Sequence, residues 1–206
     1  MSWVGKIRLT GAQTEEELRE HIQDAIYILP YLPDNSSGKI KIIDVGTGGG
    51  LPGIVWAIYR PDIEFTLLDS VRKKCVAVEQ MCEALELKNT KVVCARAEIY
   101  AKDATVKARG YDVVTARAVA AAPQLIEWLA PLTNKGGLII APKGPKCHEE
   151  IAAISDKTLA RLKLSKPKIV KYGLDSRENY LLILKNTDSK SDVGEAAFAT
   201  RRDGVD

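Results

Sequence analysis

The chain has 206 residues, of which 46% are hydrophobic and 28% are charged, and its formal net charge is +3. This length fits one domain with short extensions, and this composition is that of a globular protein, which excludes the collagenous and disordered classes. No apolar run approaches the roughly 20 residues that a bilayer span needs, and the first residues lack a secretory apolar region. We therefore expect a cytoplasmic protein with no membrane partner.

The cysteine pattern is typical of reduced thiols. The four cysteines show no Cys-x-x-Cys spacing, and only two histidines accompany them. They are Cys75, Cys82, Cys94 and Cys147. We therefore expect neither a disulfide framework nor a metal site.

A helix opens the predicted fold. Thr14, with Glu17 three residues later, has the spacing of a capping box, and apolar residues from Leu18 to Leu29 follow at helical spacing. His21 lies near the edge of this apolar face, where a packing histidine is favoured over a catalytic one. We expect residues 1–38 to form an N-terminal segment that packs on a core domain of residues 39–185.

From Lys39 onward, strand and helix patterns alternate. The predicted strands are residues 39–43, 64–69, 89–96, 111–116, 137–142, 168–171 and 180–185, the last two forming a hairpin. The predicted helices begin at Pro52 and then cover residues 71–87, 98–108, 119–129 and 149–162. Such alternation is typical of crossover units, so we predict an α/β fold with a doubly wound sheet and helices on both faces.

A glycine-rich turn follows the first predicted strand. The run from Asp44 to Gly53 reads Asp-Val-Gly-Thr-Gly-Gly-Gly-Leu-Pro-Gly. Its glycines at positions 46, 48 and 50 allow a sharp turn and the close approach of a ligand. A pyrophosphate is anionic, whereas S-adenosylmethionine carries a cationic sulfonium and an ammonium group. Because Asp44 stands at the end of the strand, the sequence favours the cationic ligand.

A dinucleotide site is the alternative interpretation of this turn. Counted from Gly48, the residues give Gly48-x-Gly50-x-x-Gly53. That fingerprint requires its first glycine directly after the strand, but Gly46 holds this place, and the position five residues on is Leu51. A dinucleotide-dependent oxidoreductase would also carry a paired Tyr and Lys for proton relay, which we do not find. A non-catalytic RNA-binding factor on the same scaffold is a third hypothesis.

Charged side chains follow the other predicted strands, where ligands of doubly wound sheets bind. Asp69, after the second strand, is placed to accept hydrogen bonds from both ribose hydroxyls, with a helix-capping role as the alternative. Glu98 follows the third strand within reach of an adenine edge, or serves as an ordinary acid at a helix start. Arg117 and Lys143 follow the fourth and fifth strands, and we expect them to contact RNA phosphates beside the ligand.

Further basic residues lie at other places along the chain. Arg72 begins a basic run after the second strand, and Arg201 and Arg202 stand near the last residue. Each is a candidate RNA contact, although such clusters are common on solvated faces. Residues 186–206 are rich in small polar residues, and we expect them to form a flexible tail with a basic end.

Taken in order, the motifs of the chain resemble those of a known family. The motifs are Ile43 to Gly53, Phe65 to Ser70, Arg96 to Glu98, Thr115 to Ala118, and Lys143-Gly144. Over roughly Leu9 to Lys185, this set resembles the bacterial small-subunit ribosomal RNA guanine-N7 methyltransferases, also called the glucose-inhibited division protein B family. His21-x-x-Asp24 also resembles the helix before the family's first strand.

The resemblance implies a class I methyltransferase fold, Rossmann-like, with a seven-stranded sheet whose last strand is antiparallel. It implies methyl transfer from S-adenosylmethionine to N7 of guanine 527, in the 530 loop of 16S ribosomal RNA. Donor-binding positions of the family fall on Gly46, Leu51, Ala97, Glu98 and Arg117. We expect a monomer that acts on 16S ribosomal RNA or on the small ribosomal subunit. Since guanine N7 has an in-plane lone pair and no proton, we expect no catalytic base.

Overall fold

The computed structural model describes residues 14–34, 38–173 and 178–188. Arg201 and Arg202, two of the predicted RNA contacts, lie outside the described residues, as does the predicted tail from residue 189 onward.

Seven strands form one mixed sheet. They are β1 (Lys41–Val45), β2 (Glu64–Asp69), β3 (Thr90–Cys94), β4 (Tyr111–Thr115), β5 (Thr133–Lys143), β6 (Lys168–Lys171) and β7 (Tyr180–Lys185). Their order across the sheet is β3-β2-β1-β4-β5-β7-β6. Neighbours among β1 to β5 pair in parallel, and β7 runs antiparallel to both β5 and β6. The predicted doubly wound sheet with an antiparallel last strand is thereby confirmed.

The helices lie between the strands, as the alternating pattern predicted. They are α1 (Glu15–Ile28), α2 (Gly53–Tyr59), α3 (Arg72–Ala84), α4 (Ala97–Tyr100), α5 (Ala104–Arg109), α6 (Ala122–Leu129), α7 (Cys147–Ala152) and α8 (Asp156–Leu162). Thr14 caps α1 as predicted, because its hydroxyl accepts a hydrogen bond from the Glu17 backbone N–H at 3.1 Å. Short 3₁₀ turns extend α1 through residues 29–31 and α6 through residues 130–132.

Two predicted helices are each broken into two, which corrects the sequence-based boundaries. The predicted helix 98–108 becomes α4 and α5, because the Asp103 carboxylate accepts hydrogen bonds from the backbone N–H groups of Thr105 and Val106 and so starts a new helix. The predicted helix 149–162 becomes α7 and α8 for the same reason. There the Ser155 hydroxyl accepts a hydrogen bond from the Thr158 backbone N–H at 3.1 Å.

Other boundaries differ by a few residues. β1 ends at Val45 rather than at residue 43, because the backbone of Asp44 and Val45 still pairs with β2. α3 ends at Ala84 rather than at residue 87, since Glu86 takes a left-handed conformation with φ 54°. α6 begins at Ala122 rather than at residue 119, and β5 extends beyond the predicted strand at both ends.

The sheet is covered by apolar side chains on both faces. One core cluster joins β1, β2 and β4 to α1, α2 and α3, and the other joins the sheet to α5, α6 and α8. Trp56 of α2 is fully buried in the first cluster, and its indole N–H donates to the Ala25 carbonyl of α1 at 2.8 Å. This hydrogen bond fixes α1 against α2. Within the described ranges, no helix is both long and apolar enough to span a bilayer.

The Trp56 contact generates a stability prediction. Trp56→Phe removes the indole donor and leaves the buried Ala25 carbonyl without it, so we expect a loss of about 1–3 kcal/mol in the free energy of unfolding. Urea unfolding followed by circular dichroism measures the loss. Trp128→Phe, on a half-buried side chain of α6, is the matched control, and an equal loss in both variants would contradict the role given to the hydrogen bond.

Candidate functional site

The loop between β1 and α2 is folded around the carboxylate of Asp44. This side chain is only 1% exposed, and its Oδ2 accepts hydrogen bonds from the Thr47 hydroxyl at 2.8 Å and from the Gly53 backbone N–H at 3.0 Å. Burial raises the pKa of Asp44 to about 6, although these two hydrogen bonds and the Arg117 charge lower it. Its Oδ1 atom is buried and has no partner in the described part of the chain.

Asp69, at the end of β2, holds the same loop from the neighbouring strand. Its Oδ2 accepts a hydrogen bond from the Gly48 backbone N–H at 3.0 Å, and its Oδ1 accepts one from the Val71 backbone N–H at 2.8 Å. The backbone N–H groups of residues 46 and 47 both donate to the carbonyl of residue 68. The two carboxylates therefore fix one loop at several points, at the carboxyl ends of adjacent parallel strands.

The glycines of the loop are required by its backbone and by its packing. Gly46, Gly48 and Gly50 have φ values of 70°, 57° and 86°, a region that favours glycine. A Cβ atom on Gly46 would lie 2.7 Å from Val119 Cγ2, and one on Gly50 would lie 2.3 Å from Ile54 Cδ1. The chain's own side chains thus exclude larger residues here, before any ligand is considered.

A second loop, between β4 and α6, packs over the first. It carries Arg117, which is half-buried, and Val119, whose side chain lies against Gly46. Between them Ala118 has φ 55°, a left-handed conformation that costs an L-residue about 1–2 kcal/mol. Such a conformation persists only where the surrounding structure holds it in place.

An ion pair between β5 and α7 holds this second loop. The Lys143 ammonium donates to the Ala120 carbonyl at 2.7 Å and to Glu150 Oε2 at 2.8 Å. Glu150 Oε2 also accepts a hydrogen bond from the Ala122 backbone N–H at 2.8 Å. Lys143 was predicted to contact RNA, but its side chain is only 9% exposed, and its ammonium already makes two hydrogen bonds within the protein.

Glu150 was missed by the sequence reasoning. Burial favours its neutral form, but the hydrogen bonds from Lys143 and from the backbone of Ala122 and the lysine charges keep the pKa of Glu150 below its ordinary value. The carboxylate is therefore ionised at neutral pH and forms an ion pair with the Lys143 ammonium. No local sequence signal identifies this residue, because the loop it contacts lies 28 residues earlier in the chain.

The Arg117 charge acts on both the glycine loop and α1. It lowers the pKa of Asp44. The pKa of His21 is lowered mainly by burial and, as the second cause, by the Arg117 charge. His21 is therefore neutral at pH 7, and its Nδ1 atom is buried with no partner among the residues described. Helix α1, which the sequence treated as a packing element, thus reaches the rim of the candidate site.

The remaining predicted site residues lie around this edge of the sheet. Leu51 is half-buried in the glycine loop, and Ala97 and Glu98 begin α4 after β3, with Glu98 exposed. Arg72 is the first residue of α3 and is exposed. In the described ranges, no three His, Cys, Asp or Glu side chains are grouped so that they could hold a metal ion.

A groove of about 620 Å³ lies at the opposite edge of the sheet. It is bounded by the starts of β2 and β3 and includes Ile58, Leu85 and Leu87. Its charged residues include a surface ion pair, in which Lys39 lies 3.3 Å from Glu64. The groove is remote from Asp44, and nothing in it suggests chemistry.

Comparison with known proteins gives a consistent set of relatives. A family model described as rRNA small subunit methyltransferase G matches residues 1–180. The chain is 33% identical over 192 residues to the ribosomal RNA small subunit methyltransferase G of Desulfitobacterium hafniense, covering 92% of this chain and 77% of that protein. It is 37% identical over 188 residues to the protein of that name from Clostridium botulinum strain ATCC 19397, covering 89% and 77%.

Solved structures share the fold at low sequence identity. A precorrin-6y C5,15-methyltransferase from Geobacter metallireducens superposes with a TM-score of 0.53 at 14% identity, covering 86% of this chain and 90% of that chain. An rRNA methylase from Streptococcus thermophilus gives a TM-score of 0.51 at 12% identity, covering 79% and 93%. PigF, solved with SAH, gives a TM-score of 0.61 at 13% identity, covering 82% and 56%. These likenesses establish a methyltransferase fold.

The close packing at Gly53 generates a first prediction for the site. A Cβ atom there would lie 2.3 Å from Leu67 Cδ2 and 2.9 Å from Asp44 Oδ2, so Gly53→Ala forces the loop away from the carboxylate. We expect a loss of about 1–3 kcal/mol in the free energy of unfolding, measured by urea denaturation. Gly144→Ala is the control, since nothing lies within 4 Å of the place that its new methyl group would occupy. Equal stability of both variants would contradict the packing described.

The raised pKa of Asp44 generates a pH prediction. The pKa of Asp44 is about 6 in the folded protein and 3.8 in the unfolded chain, so the folded protein binds this proton more tightly. Ionisation of Asp44 therefore lowers the free energy of unfolding above pH 6. That loss is relieved as the pH falls from 6 toward 3.8. Relative to Asp44→Asn, the wild-type protein should therefore gain about 1 kcal/mol between pH 7 and pH 5. Urea unfolding of both proteins at each pH measures this difference. A constant difference would refute the raised pKa.

Proposed function

Because the chain belongs to the ribosomal RNA small subunit methyltransferase G family, we propose that it methylates N7 of a guanine in 16S ribosomal RNA. The proposed target is guanine 527, in the 530 loop. The observation that carries the proposal is the match of this family along residues 1–180, together with the loop that Asp44 and Asp69 hold at the carboxyl edge of the sheet. The substrate is the RNA alone or the small ribosomal subunit.

The chain has the class I methyltransferase fold, and its methyl donor is S-adenosylmethionine. When bound, this donor supplies an electrophilic methyl carbon on a sulfonium. The glycine loop suits a cationic ligand, since Asp44 Oδ1 is a buried oxygen without a described partner and Asp69 adds a second carboxylate. A dinucleotide would instead bring its diphosphate against these two acids, which disfavours the oxidoreductase alternative.

We propose that several residues hold the donor. Each carboxylate oxygen of Asp69 accepts one backbone N–H in the structure and keeps a further lone pair, so both oxygens have capacity to accept ribose hydroxyls. We assign the adenine edge to Ala97 and Glu98, at the start of α4, and we assign the space beside Gly46 and Leu51 to the rest of the donor. These roles follow the family positions and the placement of the residues at one sheet edge.

The reaction requires positioning rather than proton removal. Guanine N7 attacks through an in-plane lone pair that carries no proton, so no side chain has to act as a base. Alignment of the nucleophile with the methyl carbon and the sulfur supplies several kcal/mol of barrier reduction. We propose that the half-buried Arg117 orients the RNA beside the glycine loop and that the exposed Arg72 is a second phosphate contact.

Methyl transfer to defined RNA substrates tests the proposal. The protein is incubated with methyl-labelled S-adenosylmethionine and either purified 16S ribosomal RNA or assembled small subunits, and the label is mapped by nuclease digestion and mass spectrometry. We expect one labelled guanine, in the 530 loop. An RNA fragment in which that guanine is replaced by 7-deazaguanine, which has a carbon at the acceptor position, should take no label. Labelling of another base, or of the deaza substrate, would refute N7 transfer at this guanine.

The Lys143 and Glu150 pair generates a prediction about the loop that carries Arg117. If Lys143 acts by holding the loop of Arg117, then two changes loosen that same loop. Lys143→Met removes the hydrogen bonds to Ala120 and Glu150, and Glu150→Ala removes those from Lys143 and the Ala122 backbone. We expect each variant to lower the methylation rate about tenfold, and the double variant to be no worse than either. A direct phosphate contact by Lys143 would make Lys143→Met the more damaging change and would steepen its loss at higher salt. Single-turnover rates at two salt concentrations distinguish the two results.

A further inference from the structure

Two cysteines, Cys75 and Cys94, lie close together beside the glycine loop, where α3 begins and the edge strand β3 ends. The buried Cys75 thiol lies 3.3 Å from the Asp69 carbonyl oxygen, which also accepts a hydrogen bond from the Ala95 backbone N–H at 3.0 Å. The same sulfur is 3.9 Å from the Val93 carbonyl oxygen. The peptide groups on both sides of Cys94 therefore lie close to the Cys75 sulfur.

The alternation of side chains along β3 turns Cys94 toward α3. Val92 packs in the core cluster that contains α3, whereas Val93 packs in the cluster on the other face. Cys94, two residues after Val92, shares the face of α3. Burial and the interaction with the Cys94 thiol raise the pKa of Cys75 to about 12. Cys75 is fully buried and Cys94 is an exposed residue, so a dissolved oxidant approaches the pair from the side of Cys94.

We propose that Cys75 and Cys94 form a reversible intramolecular disulfide on exposure to a peroxide, and that this disulfide weakens binding of the methyl donor. The effect on the donor rests on the proposed function, because it requires the glycine loop to be the donor site. Formation of the disulfide itself does not.

Hydrogen peroxide is the oxidant that takes two electrons from the two thiols. The Cys94 thiolate attacks one oxygen of hydrogen peroxide, so that an S–O bond forms, the O–O bond breaks, and the departing hydroxide takes a proton to become water. Cys75 then loses its proton as its sulfur attacks the Cys94 sulfur. The S–S bond forms, the S–O bond breaks, and a second water leaves. The two thiols together give up two electrons, and an added dithiol returns them by exchange.

The disulfide acts on the donor site through Asp69. Once bonded to Cys94, the Cys75 sulfur has no proton left, so it gives up its hydrogen bond to the Asp69 carbonyl. Any shift of the first turn of α3 toward β3 that accompanies the bond then acts on Asp69. That turn begins at Val71, whose backbone N–H donates to Asp69 Oδ1, while Oδ2 of the same carboxylate holds Gly48. A movement of α3 therefore shifts the Asp69 carboxylate and, with it, the glycine loop.

The experiment combines mass spectrometry with calorimetry on the full chain. The reduced protein is treated with hydrogen peroxide, digested without reduction, and searched for a peptide that joins Cys75 to Cys94, with an intact mass lower by about 2 Da. Affinity for S-adenosylmethionine is measured before oxidation, after it, and after dithiothreitol. We expect the cross-linked peptide, a dissociation constant about tenfold higher, and full recovery.

Two variants serve as controls. Cys94→Ser removes the exposed thiol without changing the core, so it should form no cross-link and keep its affinity after peroxide. Cys82→Ser removes another cysteine of α3 that lies outside the pair, so it should respond as the wild-type protein does.

The outcomes separate this inference from the proposed function. Sulfinic acid at Cys94 without a cross-link, or a cross-link with unchanged donor affinity, would overturn the inference. Loss of affinity in oxidised Cys94→Ser would overturn it too, because the effect would then arise elsewhere. Reduced protein that binds no S-adenosylmethionine would instead overturn the proposed function. Mass spectrometry would still show whether the cross-link forms.

Discussion

The buried carboxylate of Asp44 is the constraint on which the site depends. A carboxylate taken out of water needs hydrogen bonds to stabilise its charge, and here the Thr47 hydroxyl and the Gly53 backbone N–H both turn toward Oδ2. That demand folds the residues between them into a tight loop at the end of β1. The remaining oxygen keeps an unsatisfied negative charge at the point where a cationic ligand is expected.

The loop between β4 and α6 carries Arg117 and is held by its own set of contacts. The loop that carries it contains a left-handed alanine, and it is fixed by Lys143 and Glu150, which come from β5 and α7. An ion pair with one largely buried member is valuable when it also satisfies backbone groups, as this one does. The pair therefore connects β5 and α7 to the loop that carries Arg117, the proposed RNA contact.

Much of the fold was predictable because its signals are local. The alternation of apolar strands and amphipathic helices indicated the parallel sheet and the hairpin ending, and the bounds of β2, β6 and β7 were correct as predicted. The misplaced boundaries arise where side chains compete with the helix. Asp103 and Ser155 cap new helices through hydrogen bonds that a periodicity of apolar residues does not reveal.

The sequence by itself determined the class of fold, the glycine loop and the two strand-end acids, because each depends on residues that are close in the chain. Only the tertiary structure decided what those acids do within the protein, and it gave Lys143 internal hydrogen bonds to Ala120 and Glu150. It also brought His21 within reach of the Arg117 charge and let the Cys75 thiol interact with Cys94. These contacts join residues from different elements, and their formation depends on how helices and strands pack, which no local pattern encodes.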